Sequence, residues 1–501
     1  MESPTPQLAD TITLGAAAAD LDGFVAVCEG AEVVVADIAL ERVRSADRAL
    51  TALLDSGGTI YGVTTGYGAA SGRTIAVADR EAFQLATVRS HACGTGPALA
   101  WAPARGVWLA KVLSIATGRT GAGVSLVETM VALLNAGFAP DVPRTGSLGA
   151  SGDLVPSGHA ALALLGEGFV LDRDGSRVSA PEALTSAGVP AVRLGPRDGL
   201  SLVNGTAATT SLTVHAWMEA ERLVGIAERV AAASLEAVGG HPEAFAPEIV
   251  DARPHPGAIA AAAGVRRALD GIDPARLGRH GLHDPYAWRC LPQVHGAARD
   301  ACGWTASTCA IELSSCTDNP LVGPDGAVLS GGNFHGAPLG LVSDLLRMAI
   351  GEVAALSRQR SSHLAAALHH DSADNLLMGG IGLTMVLTTA TASLLEISST
   401  GAGTGQWLPV DTVEDHVPNA TIAALHALDV LEHARAVVAA EIVATGIILQ
   451  ALDAPPTSDG GRWVTAVLDD ATPDLRLDRP LTDVLERVRR VLASPAPSAP
   501  H

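Results

Sequence analysis

Along most of the chain, apolar residues recur every three or four positions, in Ala/Leu/Val-rich stretches separated by Gly-rich turns. That period collects them on one face of an α-helix. It predicts helices over Ala36–Leu54, Arg80–Ala92, Ala104–Ala116, Val124–Leu134, Val203–Ala237, Tyr286–Ser314, Pro338–Ser357, Thr384–Ser398 and Ala420–Ala451. Strand-like alternation is scarce, so the chain reads as mainly α. Two short runs flank an Asp-Gly pair, Phe169–Val178 around Asp174-Gly175 and Leu321–Leu329 around Asp325-Gly326. Asp-Gly suits the positive φ angles of a tight turn, and both runs are predicted to be β-hairpins.

Several of the helices exceed about 25 residues, which favours an extended bundle of helices lying side by side and continuing between subunits. A division near Pro196–Leu200 separates an N-terminal domain (1–199) of shorter helices and glycine loops from a long helical bundle with C-terminal helices (200–493). The Ser/Pro/Ala tail 494–501 reads as disordered. The most apolar long stretch, Ala436–Leu452, carries Glu441 and Gln450 and is short for a bilayer of about 30 Å, so it reads as a buried core helix.

Composition narrows the function classes. The 501 residues are 48% hydrophobic and 17% charged, which fits a globular chain with a sizeable core. The 33 basic and 53 acidic residues leave a net charge of −20, a field that repels phosphate backbones. With seven Trp, three Tyr and six Phe, platforms for stacking single-stranded bases are also sparse, and nucleic acid is not an expected partner. The N-terminus MESPTPQLAD lacks a basic then apolar export pattern, so the expected location is the cytoplasm and no membrane partner is expected.

No metal is expected either. The six cysteines form no C-x-x-C pair, and the seven-residue spacing of Cys302, Cys309 and Cys316 reads as helix packing. His369-His370-Asp371, with His363 upstream, is a poor metal cluster, because adjacent helical side chains point about 100° apart.

The chemistry concentrates in Gly146–Leu154, where small residues crowd a loop just before a helix beginning near Asp153. N–H groups exposed at such a terminus favour developing negative charge. The run GSLGASGDLVPSGHAALALLGEG resembles the signature of the aromatic amino acid ammonia-lyases, in which Ala-Ser-Gly cyclises to 4-methylidene-imidazol-5-one (MIO). The resemblance makes Ala150, Ser151 and Gly152 the precursor of a built-in electrophile, with no external cofactor. The Gly152 nitrogen would attack the Ala150 carbonyl, a closure that glycine's missing side chain permits, and Ser151 would then lose water. Eliminating ammonia from an α-amino acid needs such a group, since unmodified side chains include no strong electrophile.

Further segments match the same family. Tyr61-Gly62-Val63-Thr64-Thr65-Gly66-Tyr67-Gly68 resembles its mobile loop, which implies Tyr61 as the catalytic base. A phenol titrates near about 10, so Tyr61 needs surroundings that favour phenolate. The segments Leu202–Thr206 and His283–Gln293 imply Asn204 and Tyr286 as hydrogen-bond partners of the MIO oxygen or substrate, and Arg289 as the carboxylate clamp. A guanidinium fork meets a carboxylate in a bidentate way that lysine cannot copy. Ser330–Gly336 resembles the loop that sets Phe334 against the cofactor, and Ser315–Pro320 matches a polar turn read as structural.

The ring-facing positions resemble those of histidine-specific members. Ser90-His91 matches their Ser-His pair, and Glu414-Asp415-His416-Val417 matches the segment whose glutamate meets the imidazole. A carboxylate can accept an imidazole N–H and is costly left unpaired against a phenyl ring. Three departures accompany these matches: His283 stands at a substrate-side position usually held by glutamine, Thr412-Val413 replaces Asn-Gln, and Pro418-Asn419 replaces Ser-Met. The resemblance implies elimination of ammonia from L-histidine to trans-urocanate by a homotetramer whose active sites draw on more than one subunit. Two alternatives stay open, a 2,3-aminomutase that returns the ammonia to the β-carbon and a non-catalytic scaffold with the family shell.

Overall fold

The computed structural model describes residues 11–279, 281–323, 325–369, 380–397, 416–452, 454–469 and 480–493. The tail 494–501, His370-Asp371, Thr412-Val413 and Glu414 lie outside these residues. The described chain is dominated by helices, the longest being Ala207–Val238, Leu291–Leu313, Ala337–His369 and Ala420–Ala451. The strands are two to four residues long and form small sheets. Both expected hairpins are present, Phe169–Leu171 with Arg177–Ser179 and Leu321–Val322 with Val328–Leu329.

Several boundaries differ from the sequence expectation for local reasons. The helix expected from Val203 starts at Ala207, because Asn204 is extended at ψ 153° and Gly205 takes φ +97°. The helix expected over Tyr286–Ser314 is a short turn, Tyr286–Arg289, followed by Leu291–Leu313. Pro292 has no N–H with which to continue the first ladder. Strands such as Ile12–Leu14 paired with Val33–Val35 are too short to produce an alternation signal.

The contacts divide the chain into two compact units. The first comprises Met1–His215, Thr305–Asp344 and Gly401–Leu425; the second comprises Ala216–Trp304, Leu345–Thr400 and His426–His501. In the first unit, Trp101–Ala116 is buried on all sides from Ala104 onward. Its Arg105 is 1% exposed and donates to the carbonyls of Val27, Leu134 and Phe138, so the guanidinium ties the C-terminal ends of the helices Leu21–Cys28 and Val124–Asn135 to this one.

The second unit is packed with Ala, Val, Ile and Leu from its long helices. The apolar window of Ala420–Ala451 is 78% buried. A polar network is buried in this unit. Arg360 and Glu441 are both 0% exposed and form a two-pronged pair, Nε to Oε1 at 2.6 Å and Nη2 to Oε2 at 2.9 Å. Ser234 Oγ donates to Glu441, Trp288 Nε1 donates to Ser234, and Arg360 Nη1 donates to the Ala287 carbonyl. The network therefore anchors the turn Tyr286–Arg289 by its two buried residues while Tyr286 and Arg289 face outward. Breaking one partner of a buried pair costs about 3–5 kcal/mol. A Glu441→Gln variant is expected to lose stability of that order in denaturant titration, and a loss under about 1 kcal/mol would contradict this reading of the pair.

Cys302, Cys309 and Cys316 are buried in helical and post-helical positions, and burial raises all three thiols above their usual range.

Candidate active site

The site lies in the first unit, around the loop that precedes the helix Leu154–Leu164. Gly152 sits at φ +79°, and a Cβ placed on it would stand 2.2 Å from the Gly205 carbonyl oxygen. No side chain fits there. The Gly152 backbone bridges to Gly149, Ala150 and Gly205, so the three residues from Ala150 are folded into a tight turn. Asp153 N–H donates to the Gly205 carbonyl at 2.7 Å, which holds Gly205 against Gly152.

Asp153 directly precedes the helix, but its carboxylate does not cap it. The side chain is 0% exposed and accepts from Ser147 Oγ, Thr209 N, Thr209 Oγ1 and Thr421 Oγ1 at 2.7–3.0 Å. Through Thr209 and Thr421 the carboxylate is anchored to the first turns of Ala207–Val238 and Ala420–Ala451. Hydrogen bonds to a charged acceptor contribute about 1.5–3 kcal/mol each, so the reactive loop is pinned from behind.

Asn204 closes the short helix Asp198–Val203 and is 5% exposed. Its Nδ2 donates to the Ser151 carbonyl at 2.8 Å, and its Oδ1 is buried with no hydrogen-bond partner. A fully buried lysine holds Asn204 in place: Lys111 Nζ donates to the carbonyls of Asn204 and Ser201. Burial lowers the Lys111 pKa, while Asp318 and Asp153 oppose that shift.

Tyr61 stands on a loop tied to the same helix by Gln84, which is 0% exposed. Gln84 Nε2 donates to the Gly62 carbonyl and its Oε1 accepts from Leu200 N. Gly62 takes φ +68° with Leu200 packed where a Cβ would be. The Tyr61 hydroxyl oxygen accepts the Gly68 N–H at 2.9 Å.

These elements converge on a cleft of about 630 Å³ lined by Tyr61, His91, Ser151, Asn204 and Phe334, with Tyr67, Ser71, Asn319 and Ser330 among the other lining residues. His91 Nδ1 lies 2.7 Å from the Thr87 carbonyl, so Nδ1 carries the proton and Nε2 of the neutral ring is an acceptor. Asn319, in the turn read as structural, also takes a bond from Gly331 N, bracing the Phe334 loop. His335, next to Phe334, meets His416 with Nε2 and Nδ1 3.1 Å apart, and burial lowers the His335 pKa. His416 therefore lies beside the Phe334 loop.

His283, Tyr286 and Arg289 belong to the second unit, where all three are exposed, Tyr286 by 73%. Among the described residues, no group of three or more His, Cys, Asp or Glu is arranged to hold a metal ion. Gln84 and Lys111 were not singled out by sequence. Each is a lone polar residue in a helix, and the available signal was a polar position inside an otherwise apolar stretch.

The sequence profile of the aromatic amino acid lyase family matches residues 19–471. A curated relative from Geobacillus thermodenitrificans, named histidine ammonia-lyase, is 39% identical over 414 residues covering 81% of each chain. The crystal structure of histidine ammonia-lyase from Trypanosoma cruzi superposes with a TM-score of 0.87 at 28% identity, covering 96% of this chain and 93% of that one. Tyrosine aminomutase from Streptomyces globisporus superposes with a TM-score of 0.89, also at 28% identity, covering 96% and 97%. The family profile spans most of the chain, the Geobacillus thermodenitrificans relative is 39% identical over 81% of it, and the helical fold matches that of the solved structures: the chain belongs to the aromatic amino acid lyase family.

Proposed function

We propose that this chain eliminates ammonia from L-histidine to give trans-urocanate, using an MIO electrophile formed from Ala150, Ser151 and Gly152. The observation that carries the reading is the convergence of Tyr61, His91, Ser151 and Asn204 on one cleft, behind which Gly152 leaves no room for a side chain. The turn at Ala150–Gly152 and the Asn204 Nδ2 bond to the Ser151 carbonyl both fit an MIO ring at this position, and the unpaired Asn204 Oδ1 is left to accept from the substrate.

The ring supplies a carbon electrophile for the substrate's amino group, which makes ammonia a better leaving group. Asn204 keeps an amide donor on the Ser151 carbonyl oxygen, where negative charge would collect, and Lys111 fixes that donor before substrate arrives. Tyr61 removes the β-proton at its hydroxyl oxygen, with the Gly68 N–H stabilising the phenolate. His91 Nε2 accepts the imidazole N–H, and Glu414 supplies a second acceptor. Phe334 walls the cleft beside the ring.

Arg289 clamps the substrate carboxylate from the turn Tyr286–Arg289, with Tyr286 a hydrogen-bond partner of the substrate on the same turn and His283 just ahead of it. In a homotetramer that turn can be presented to another copy's cleft. Exposed apolar residues two helical turns apart support such assembly, Trp304 with Ile311 and Leu341 with Met348. An Arg289→Lys variant is expected to raise KM for histidine about tenfold or more, since lysine loses the second hydrogen bond. An unchanged KM would remove Arg289 from the carboxylate.

Incubating the purified protein with L-histidine tests the reading. Urocanate absorbance with equimolar ammonia supports the lyase. β-Histidine without free ammonia would make the protein an aminomutase, and no turnover by a chain of unmodified mass would leave a scaffold.

A further inference from the structure

We infer that Tyr67 is a specificity-determining residue, whose hydroxyl oxygen gives the ring end of the cleft an acceptor beside His91 and so selects a substrate ring that carries a hydrogen-bond donor. This rests on the proposed lyase reading and extends it to a residue given no role above. Tyr67 lines the cleft, and its ring centroid lies 6.0 Å from that of His91 and 5.3 Å from that of Phe83.

The direction of its hydrogen bond follows from its neighbour. Thr87 Oγ1 donates its single proton to the Phe83 carbonyl at 2.8 Å. At the 3.2 Å contact between Tyr67 Oη and Thr87 Oγ1, the tyrosine must therefore be the donor. Its proton is committed to a residue that is 1% exposed, and its lone pairs are left for the cleft.

His91 is oriented by the same residue. Its Nδ1–H goes to the Thr87 carbonyl, which turns Nε2 into an acceptor. Thr87 thus sets both rings as acceptors, one through its hydroxyl and one through its carbonyl. A neutral imidazole offers an N–H donor to such a wall, whereas a phenyl ring offers none and leaves both acceptors unpaired.

A Tyr67→Phe variant tests the assignment. It keeps the ring packing and removes only the oxygen. Its mass should show the same loss of two waters as the unsubstituted protein, which separates this test from MIO formation. The preference in kcat/KM for histidine over phenylalanine should fall about tenfold, mainly through a higher KM for histidine with kcat little changed. An unchanged preference in Tyr67→Phe overturns the inference. If the unsubstituted protein prefers tyrosine to histidine, the histidine reading fails. The Tyr67 assignment is then judged by whether Tyr67→Phe lowers the preference for tyrosine, whose hydroxyl is also a donor, over phenylalanine.

Discussion

A Gly152→Ala variant is expected to purify as an unmodified and inactive chain. The alanine methyl would enter at 2.2 Å from the Gly205 oxygen and 2.5 Å from the Gly205 carbonyl carbon. Gly205 cannot retreat, since its own Cβ position is closed by Thr317 Oγ1 at 2.6 Å and its carbonyl is held by Asp153 N–H. An L-residue at φ +79° is strained even without that collision. The loop would have to move off the turn that brings the Gly152 nitrogen toward the Ala150 carbonyl. Losing the electrophile removes the group on which the whole elimination depends, so kcat/KM should fall by at least about a thousandfold. Circular dichroism will show whether the variant folds. Ser151→Ala, which leaves the backbone unstrained but has no hydroxyl to lose as water, gives the same expectation if Gly152→Ala does not fold. A variant with near-normal turnover would contradict the role of the turn.

The second large effect is expected at Tyr61. A Tyr61→Phe variant should lose about 10²- to 10⁴-fold in kcat, the range for removal of a general base. Its mass should still report the loss of two waters, because Tyr61 reaches the site from the loop ahead of Gly68 and not from the backbone around Gly152. KM should change little. A kcat within about threefold of the unsubstituted protein would move the base to another residue.

Much of this architecture was legible in the residues themselves. Ala420–Ala451 follows from periodicity alone, and both Asp-Gly hairpins follow from turn chemistry. The breaks at Asn204-Gly205 and at Pro292 were hidden because apolar periodicity runs straight across them, while one glycine at positive φ and one missing N–H decide the backbone. Asp153 directly precedes a helix, yet its carboxylate is claimed by Thr209 and Thr421, which are distant in sequence. Gln84 and Lys111 organise the cleft through pairs of hydrogen bonds to backbone groups, and Thr87 through bonds from Tyr67 and His91, and such bonds leave no motif. The outward position of Tyr286 and Arg289 belongs to the same class, since their flanking residues do not show which side chains of a short turn are buried.

The most direct test of the self-made electrophile is the mass of the tryptic peptide 145–173 from the freshly purified, assembled protein, since Arg144 and Arg173 bound it and Ala150–Gly152 lie inside it. A peptide lighter than its encoded sequence by two waters, with the fragment ions placing the loss between Ala150 and Gly152, is the expected result. A peptide of full encoded mass would contradict the account.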